Sequence, residues 1–243
     1  MPSRCCGHQA STHAPPYREQ VVANLPLFPL STVLMPGASL PLHIFEPRYR
    51  QLTVDLVTGV VPDKQFGVIA VREGWSVDDA TAALHRIGCT AALLDVRRLP
   101  DGRFDIVTRG GRRFRLLDID STARPYLTAS VEYLPDEPDP AADHLLALTG
   151  AARAAHRRYC ATAWRSGEWS EPAGDVRPGE LAHLLAADCL LPMGDRQRLL
   201  EQTSPEIRLR MVRALLLREA GLLGRLRAVP APLHTFTVGH SPN

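Results

Sequence analysis

Residues 25–50 read LPLFPLSTVLMPGASLPLHIFEPRYR, and a change of period inside this run sets the fold. Leu40, Leu42 and Ile44 recur every second residue, which places them on one face of an extended strand. Pro36-Gly37 supplies the turn that precedes it, Pro fixing φ and Gly accepting φ > 0. Pro26, Pro29 and Pro41 cannot donate to a ladder, so their strands should be edges or irregular. After Glu46 the period lengthens: Pro47 suits a first helical turn, and Tyr49, Leu52, Leu56 and Val57 follow at helical spacing. A strand-turn-strand-helix unit of this kind needs a barrel-like sheet to cover its apolar face.

Working outward, residues 1–22 are small and polar and read as a tail. Downstream, FGVIAV (66–71) is a short apolar strand, and the polar excursion EGWSVDDATA separates it from a longer strand over 87–99. Pro100-Asp101-Gly102 closes a hairpin onto 103–108, Gly110-Gly111 should turn the chain into RRFRLLDID, and 127–134 ends the series. Six or so short strands with one early helix suggest a small barrel or folded sheet. Pro135, Pro138 and Pro140 among acidic residues mark a stiff boundary, beyond which the pattern is helical. Helices are expected over 141–164, 180–191 and 195–201. A last one starts at Ser204-Pro205-Glu206, with Leu209, Val212, Leu216, Leu223 and Leu226 as its stripe. From residue 229 the chain again reads as a tail. The expected division is a strand-rich part over 23–135 and a helical bundle over 139–228.

The runs LPLFPL, VLMPG and LPLHIFEPRYR resemble the N-terminal, substrate-binding domain of the Lon protease family, in the version that occurs as a separate small protein. The resemblance continues through Gly88-Cys89, the Pro100–Arg103 turn, residues 110–115 and the C-terminal helices, about residues 23–227. It implies an α+β fold: a PUA-like β pseudo-barrel followed by an α-helical bundle. It also implies recognition of unfolded or tagged polypeptide, with an ATP-dependent protease as a further partner.

The chemistry of full-length Lon enzymes, an ATPase motor and a serine-lysine protease, finds no match. Lys64 is the sole lysine, preceded by VVPD and not by a phosphate-binding glycine loop. G-x-S-x-G, H-E-x-x-H and G-x-G-x-x-G are also missing. Ser39, His43 and Glu46 are close in sequence, but His43 should sit on the strand face opposite Leu42 and Ile44 as an ordinary solvated histidine. The reading is a protein that is not an enzyme, with no catalytic residues and no cofactor. Cys5, Cys6, His8 and His13 lack tetrahedral spacing, so no metal is expected in the tail. With no signal-like run and no apolar stretch of membrane length, the chain reads as cytoplasmic, its five cysteines reduced and no membrane partner involved.

Three surfaces remain. Glu46, Arg48, Tyr49 and Arg50 open the early helix; capping and packing can explain them, or they border a substrate groove. Trp75, inside a charged loop, is either an anchor for bound polypeptide or a lid on the barrel. Arg113 and Arg115 should point outward on one strand, and PUA domains often bind RNA. These two arginines belong to a set with Arg97, Arg98, Arg103, Arg109 and Arg112, but Asp95, Asp101, Asp105, Asp118 and Asp120 lie in the same region, and a net charge of +2 carries no polyanion signature. Nucleic acid is the rival partner and not the favoured one.

Overall fold

Six strands and five α-helices follow in the expected order in the computed structural model, which describes residues 22–72, 83–138, 142–164 and 169–226. The strands are β1 (Val22–Leu30), β2 (Ser39–Ile44), β3 (Gln65–Ala70), β4 (Ile87–Arg98), β5 (Phe104–Asp120) and β6 (Thr128–Tyr133). The helices are α1 (Pro47–Thr58), α2 (Ala142–Ala163), α3 (Pro178–Ala187), α4 (Met193–Glu201) and α5 (Pro205–Leu226).

The sheet runs β2-β5-β4-β3-β1-β6, and β5 also pairs with β6. Length makes this double role possible. The 17-residue β5 lies between β2 and β4 over its first turn of pairing, and further on meets Ile87–Cys89 of β4 and the whole of β6. Pro41 sits on β2, which among the described residues pairs with β5 alone and is an edge. Pro26 and Pro29 are accommodated differently, because β1 changes partner midway. Residues 22–26 run antiparallel to β6 and residues 27–30 parallel to β3, so each half keeps one side free of a ladder.

The Pro36-Gly37 turn forms as read: Ala38 N donates to Met35 O at 3.1 Å, with Gly37 at φ +79°. Gly110-Gly111 does not turn the chain. β5 passes straight through both, and the glycines serve close approach instead. Gly110 exchanges two backbone bonds of 2.8 Å with Gly37 and Ala38, and a Cβ on it would lie 2.0 Å from Met35 O.

One large apolar cluster joins strand residues such as Phe28, Phe66 and Ile106 to helix residues such as Leu181, Leu185, Leu199 and Leu216. A smaller one gathers Leu25, Leu27, Ile69, Phe114 and Val131 on the sheet itself. Each fully buried Leu or Phe contributes about 1.5–3 kcal/mol relative to exposure. On α5, Leu209, Val212 and Leu216 are buried and Leu223 packs against them, as the stripe predicts; the side chain of Leu226 lies outside the described residues. The acidic segment at 135–138 is pinned down. Asp136 accepts hydrogen bonds from Arg113 on β5 and from both terminal nitrogens of Arg208 on α5, at 3.0 and 2.8 Å for the latter. Glu137 exchanges a backbone bond of 3.1 Å and a side-chain bond of 2.6 Å with Thr203.

Candidate polypeptide-binding groove

The helix α1 is held by buried polar contacts as well as by its stripe. Tyr49, Leu52 and Leu56 are buried, and Tyr49 stacks on Phe28 with ring centroids 3.9 Å apart. Burial pushes the Tyr49 phenol up to about 12, partly offset by the nearby Arg48 guanidinium. The Asp55 carboxylate, also buried, accepts from Gln51 at 2.7 Å, from Tyr126 at 2.7 Å and from Arg124 at 3.2 Å. That network fastens the middle of α1 to the loop between β5 and β6.

The four residues that open the helix divide into two roles. Glu46 precedes the helix in an extended conformation, and its carboxylate takes Arg48 Nε at 2.8 Å and a terminal nitrogen at 2.7 Å. Arg48 also lies 4.8 Å from the Tyr49 ring centroid. These three residues brace the helix start. Arg50 is different: among the described residues no carboxylate pairs with it, and its guanidinium rests beside Gly102 in the β4–β5 turn.

Arg50 borders a groove of about 660 Å³ between α1 and the β4–β5 hairpin, shared by Val54, Val57, Val96, Arg98 and Phe104. Val54 is 40% exposed and Val57 51%. Val57 is therefore not part of the core stripe, a correction to its sequence reading. One residue beyond Leu56 turns a helix by about 100°, which carries Val57 out beside Val54. The signal for the groove was present in Val54, an apolar residue off the stripe on an otherwise polar face. Val96 and Phe104 gave none, since only the hairpin brings them opposite α1.

The remaining candidates fall elsewhere. Trp75, and Cys5, Cys6, His8 and His13, lie outside the described residues. Arg113 does not point outward, which corrects the expected basic strip. Its side chain is 4% exposed and donates to Leu200 O and Gln202 O, both at 2.8 Å, and to Asp136. The ladder opposite is irregular here: Cys89 faces Arg113 but Ala91 faces Gly110, so strict alternation fails on this stretch. Arg115 is exposed and reaches Glu132 at 3.4 Å. His43 is on the outer face as expected, with Nδ1 2.7 Å from Asp105 and Arg97 2.5 Å from the other carboxylate oxygen. Bonds from His43 first, then Arg97, hold the Asp105 carboxyl below its ordinary range. Ser39 is four residues from His43 on an extended strand, roughly 13 Å away, and Glu46 is engaged by Arg48. The three do not assemble into a triad.

The fold and groove thus define a mixed α+β module with a channel on one flank lined by valines, small polar residues and two arginines. A family model described as the ATP-dependent protease La (LON) substrate-binding domain matches residues 24–218, and the chain belongs to that family. It is 28% identical over 210 residues to a Lon protease of Anaeromyxobacter dehalogenans (strain 2CP-C), covering 85% of this chain and 24% of that protein. The chain spans about a quarter of the length of the curated relatives it matches, in their substrate-binding part and not in the ATPase or protease parts. Among solved structures, the Lon N-terminal domain protein from Xanthomonas campestris is similar at 26% identity and a TM-score of 0.57, covering 79% of this chain and 98% of that one. The N-terminal domain of Mycobacterium avium complex Lon protease shares the fold at a TM-score of 0.61 and 21% identity, covering 80% and 98%.

Proposed function

We propose that this chain is a non-catalytic module that captures extended, apolar segments of unfolded or tagged polypeptide in the groove between α1 and the β4–β5 hairpin. The observation that carries the reading is a pair of exposed valines, Val54 and Val57, over a channel bordered by Arg98 and by Arg50, which has no carboxylate partner among the described residues. Apolar side chains would supply affinity and the guanidiniums would engage backbone carbonyls or acidic side chains. Glu46, Arg48 and Tyr49 act by fixing the helix start, and Arg50 by contact. Trp75 stays a candidate anchor. The circuit of pairings β5-β4-β3-β1-β6-β5 supports a PUA-like pseudo-barrel, followed by a helical subdomain over 139–228 that shares its core. No helix among the described residues is long and apolar enough to cross a membrane, which accords with a cytoplasmic setting. An ATP-dependent protease is the proposed downstream partner.

The test is binding of the purified protein to a labelled, permanently unfolded polypeptide across a salt series, with single-stranded RNA as competitor. Saturable binding that survives salt, ignores RNA and is lost in Val57→Asp supports the reading. RNA displacement with a steep salt dependence overturns it.

A further inference from the structure

The helical part contains a cluster that the groove does not use. His156 and Cys160 are four residues apart on α2, hence on one face, and Cys189 follows the end of α3. Their relative exposures are 0%, 0% and 1%. One donor atom from each residue lies within 4.8 Å of the other two, and Cys160 Sγ is 3.4 Å from His156 Nε2. A tetrahedral zinc site, with Zn–S near 2.3 Å and Zn–N near 2.0–2.1 Å, needs an S···N separation of about 3.5 Å and an S···S separation of about 3.8 Å. Small side-chain adjustments reach that geometry.

The surroundings hold these ligands in place. Leu190 N donates to Tyr159 Oη at 3.0 Å, which ties the turn carrying Cys189 to α2. Arg196 donates to Cys189 O at 3.2 Å. Trp169 packs edge-on against the His156 ring with centroids 5.8 Å apart. Among the described residues the imidazole has no hydrogen-bond partner but the Cys160 sulfur, an unusual situation for a fully buried ring.

We propose that His156, Cys160 and Cys189 bind a thiophilic d10 metal ion, in the first instance Zn²⁺, which clips α2 to the turn after α3. Two thiolates and a neutral imidazole balance the charge of a divalent ion, so the site loaded with Zn²⁺ carries no net buried charge. Loading releases the thiol protons. The Cys160 sulfur, 3.4 Å from His156 Nε2, loses its proton to solvent as the ion binds. Cys189, which donates to Leu185 O at 3.2 Å in the metal-free chain, gives its proton to solvent when its sulfur takes the ion. Three protein ligands leave a fourth position for solvent on zinc, or complete a trigonal site for Cu⁺.

The experiment uses the full chain carrying Cys5→Ser and Cys6→Ser, reduced and freed of metal, so that the tail thiols do not compete. It is titrated with Zn²⁺ against a chromophoric chelator, with Co²⁺ as a spectroscopic probe and with Cu⁺ under reducing conditions. Expected are stoichiometric binding, a tetrahedral Co²⁺ spectrum with thiolate charge-transfer bands, and a melting temperature that rises with metal concentration. Cys160→Ser, Cys189→Ser and His156→Asn should each weaken binding by at least ~100-fold. Preference for Cu⁺ over Zn²⁺ with the same ligand dependence supports the site and assigns the other ion. Lack of stoichiometric binding by any of the three ions overturns the proposal. So does binding that survives all three substitutions in variants that still melt cooperatively.

Discussion

Asp136→Ala tests how the strand-rich and helical parts are joined. The Asp136 carboxylate is the counter-charge for two guanidiniums at once, Arg113 at 4% and Arg208 at 0% side-chain exposure. Without it both arginines keep carbonyl acceptors: Leu200 O and Gln202 O for Arg113, Gln202 O and Gly179 O for Arg208. They lose their anion, however, and a guanidinium cannot escape by deprotonation. Removing one partner of a buried pair costs about 3–5 kcal/mol. Asp136 itself is 34% exposed, so water replaces part of its field and the lower end applies, about 3 kcal/mol. For a domain of this size that is a fall in Tm of roughly 6–12 °C. Urea unfolding followed by circular dichroism measures it, with the m-value checking two-state behaviour. Adding Arg208→Met to Asp136→Ala should recover part of the loss, because the second change removes an uncompensated charge. A loss below about 1 kcal/mol with an unchanged m-value would refute the reasoning.

Three further outcomes are expected. Val57→Asp should weaken polypeptide binding by ~10-fold or more, since about 1.5 kcal/mol of apolar burial is lost, while stability stays within about 0.5 kcal/mol; fluorescence anisotropy and a melting curve together check both. Gly110→Ala should cost about 3 kcal/mol or more, because the added methyl meets Met35 O at 2.0 Å in a strand packed on both sides, and chemical denaturation reads the loss. His183 is buried and held well below its ordinary pKa by desolvation, then by Arg208 and Arg113. The unfolded chain therefore binds a proton that the folded one refuses, and stability should fall as pH drops below about 6.5, by up to ~1.4 kcal/mol per unit. His183→Leu should flatten that limb in unfolding curves taken between about pH 7 and 5.

Much of the fold was legible because it rests on short-range rules. The turn at Pro36-Gly37, the hairpin at Pro100–Arg103, the helix at Pro47 and the Ser204-Pro205 start all arise from residues within one or two turns of each other. The site was only half legible. Tyr49 could be given a packing role from its position alone, whereas the Glu46 side chain makes no capping bond and instead holds Arg48. Helical spacing alone places Val57 inward, because a period of 3.6 leaves neighbouring positions ambiguous at the edge of a stripe. The groove needed the opposing hairpin to exist before its valines could be told from core.

The sequence by itself determined the order of elements, the edge character of β2 through Pro41, the family resemblance and the lack of any matching nucleotide or protease motif. The tertiary structure decided what alternation could not. It turned Arg113 inward at a ladder irregularity, made Gly110 a contact point instead of a bend, and gathered His156, Cys160 and Cys189 from a helix and the turn that follows another. The physical reason is common to all three. Each depends on groups far apart in the chain meeting in a close-packed interior, where available space and counter-charge are set by the partner segment and not by the local pattern.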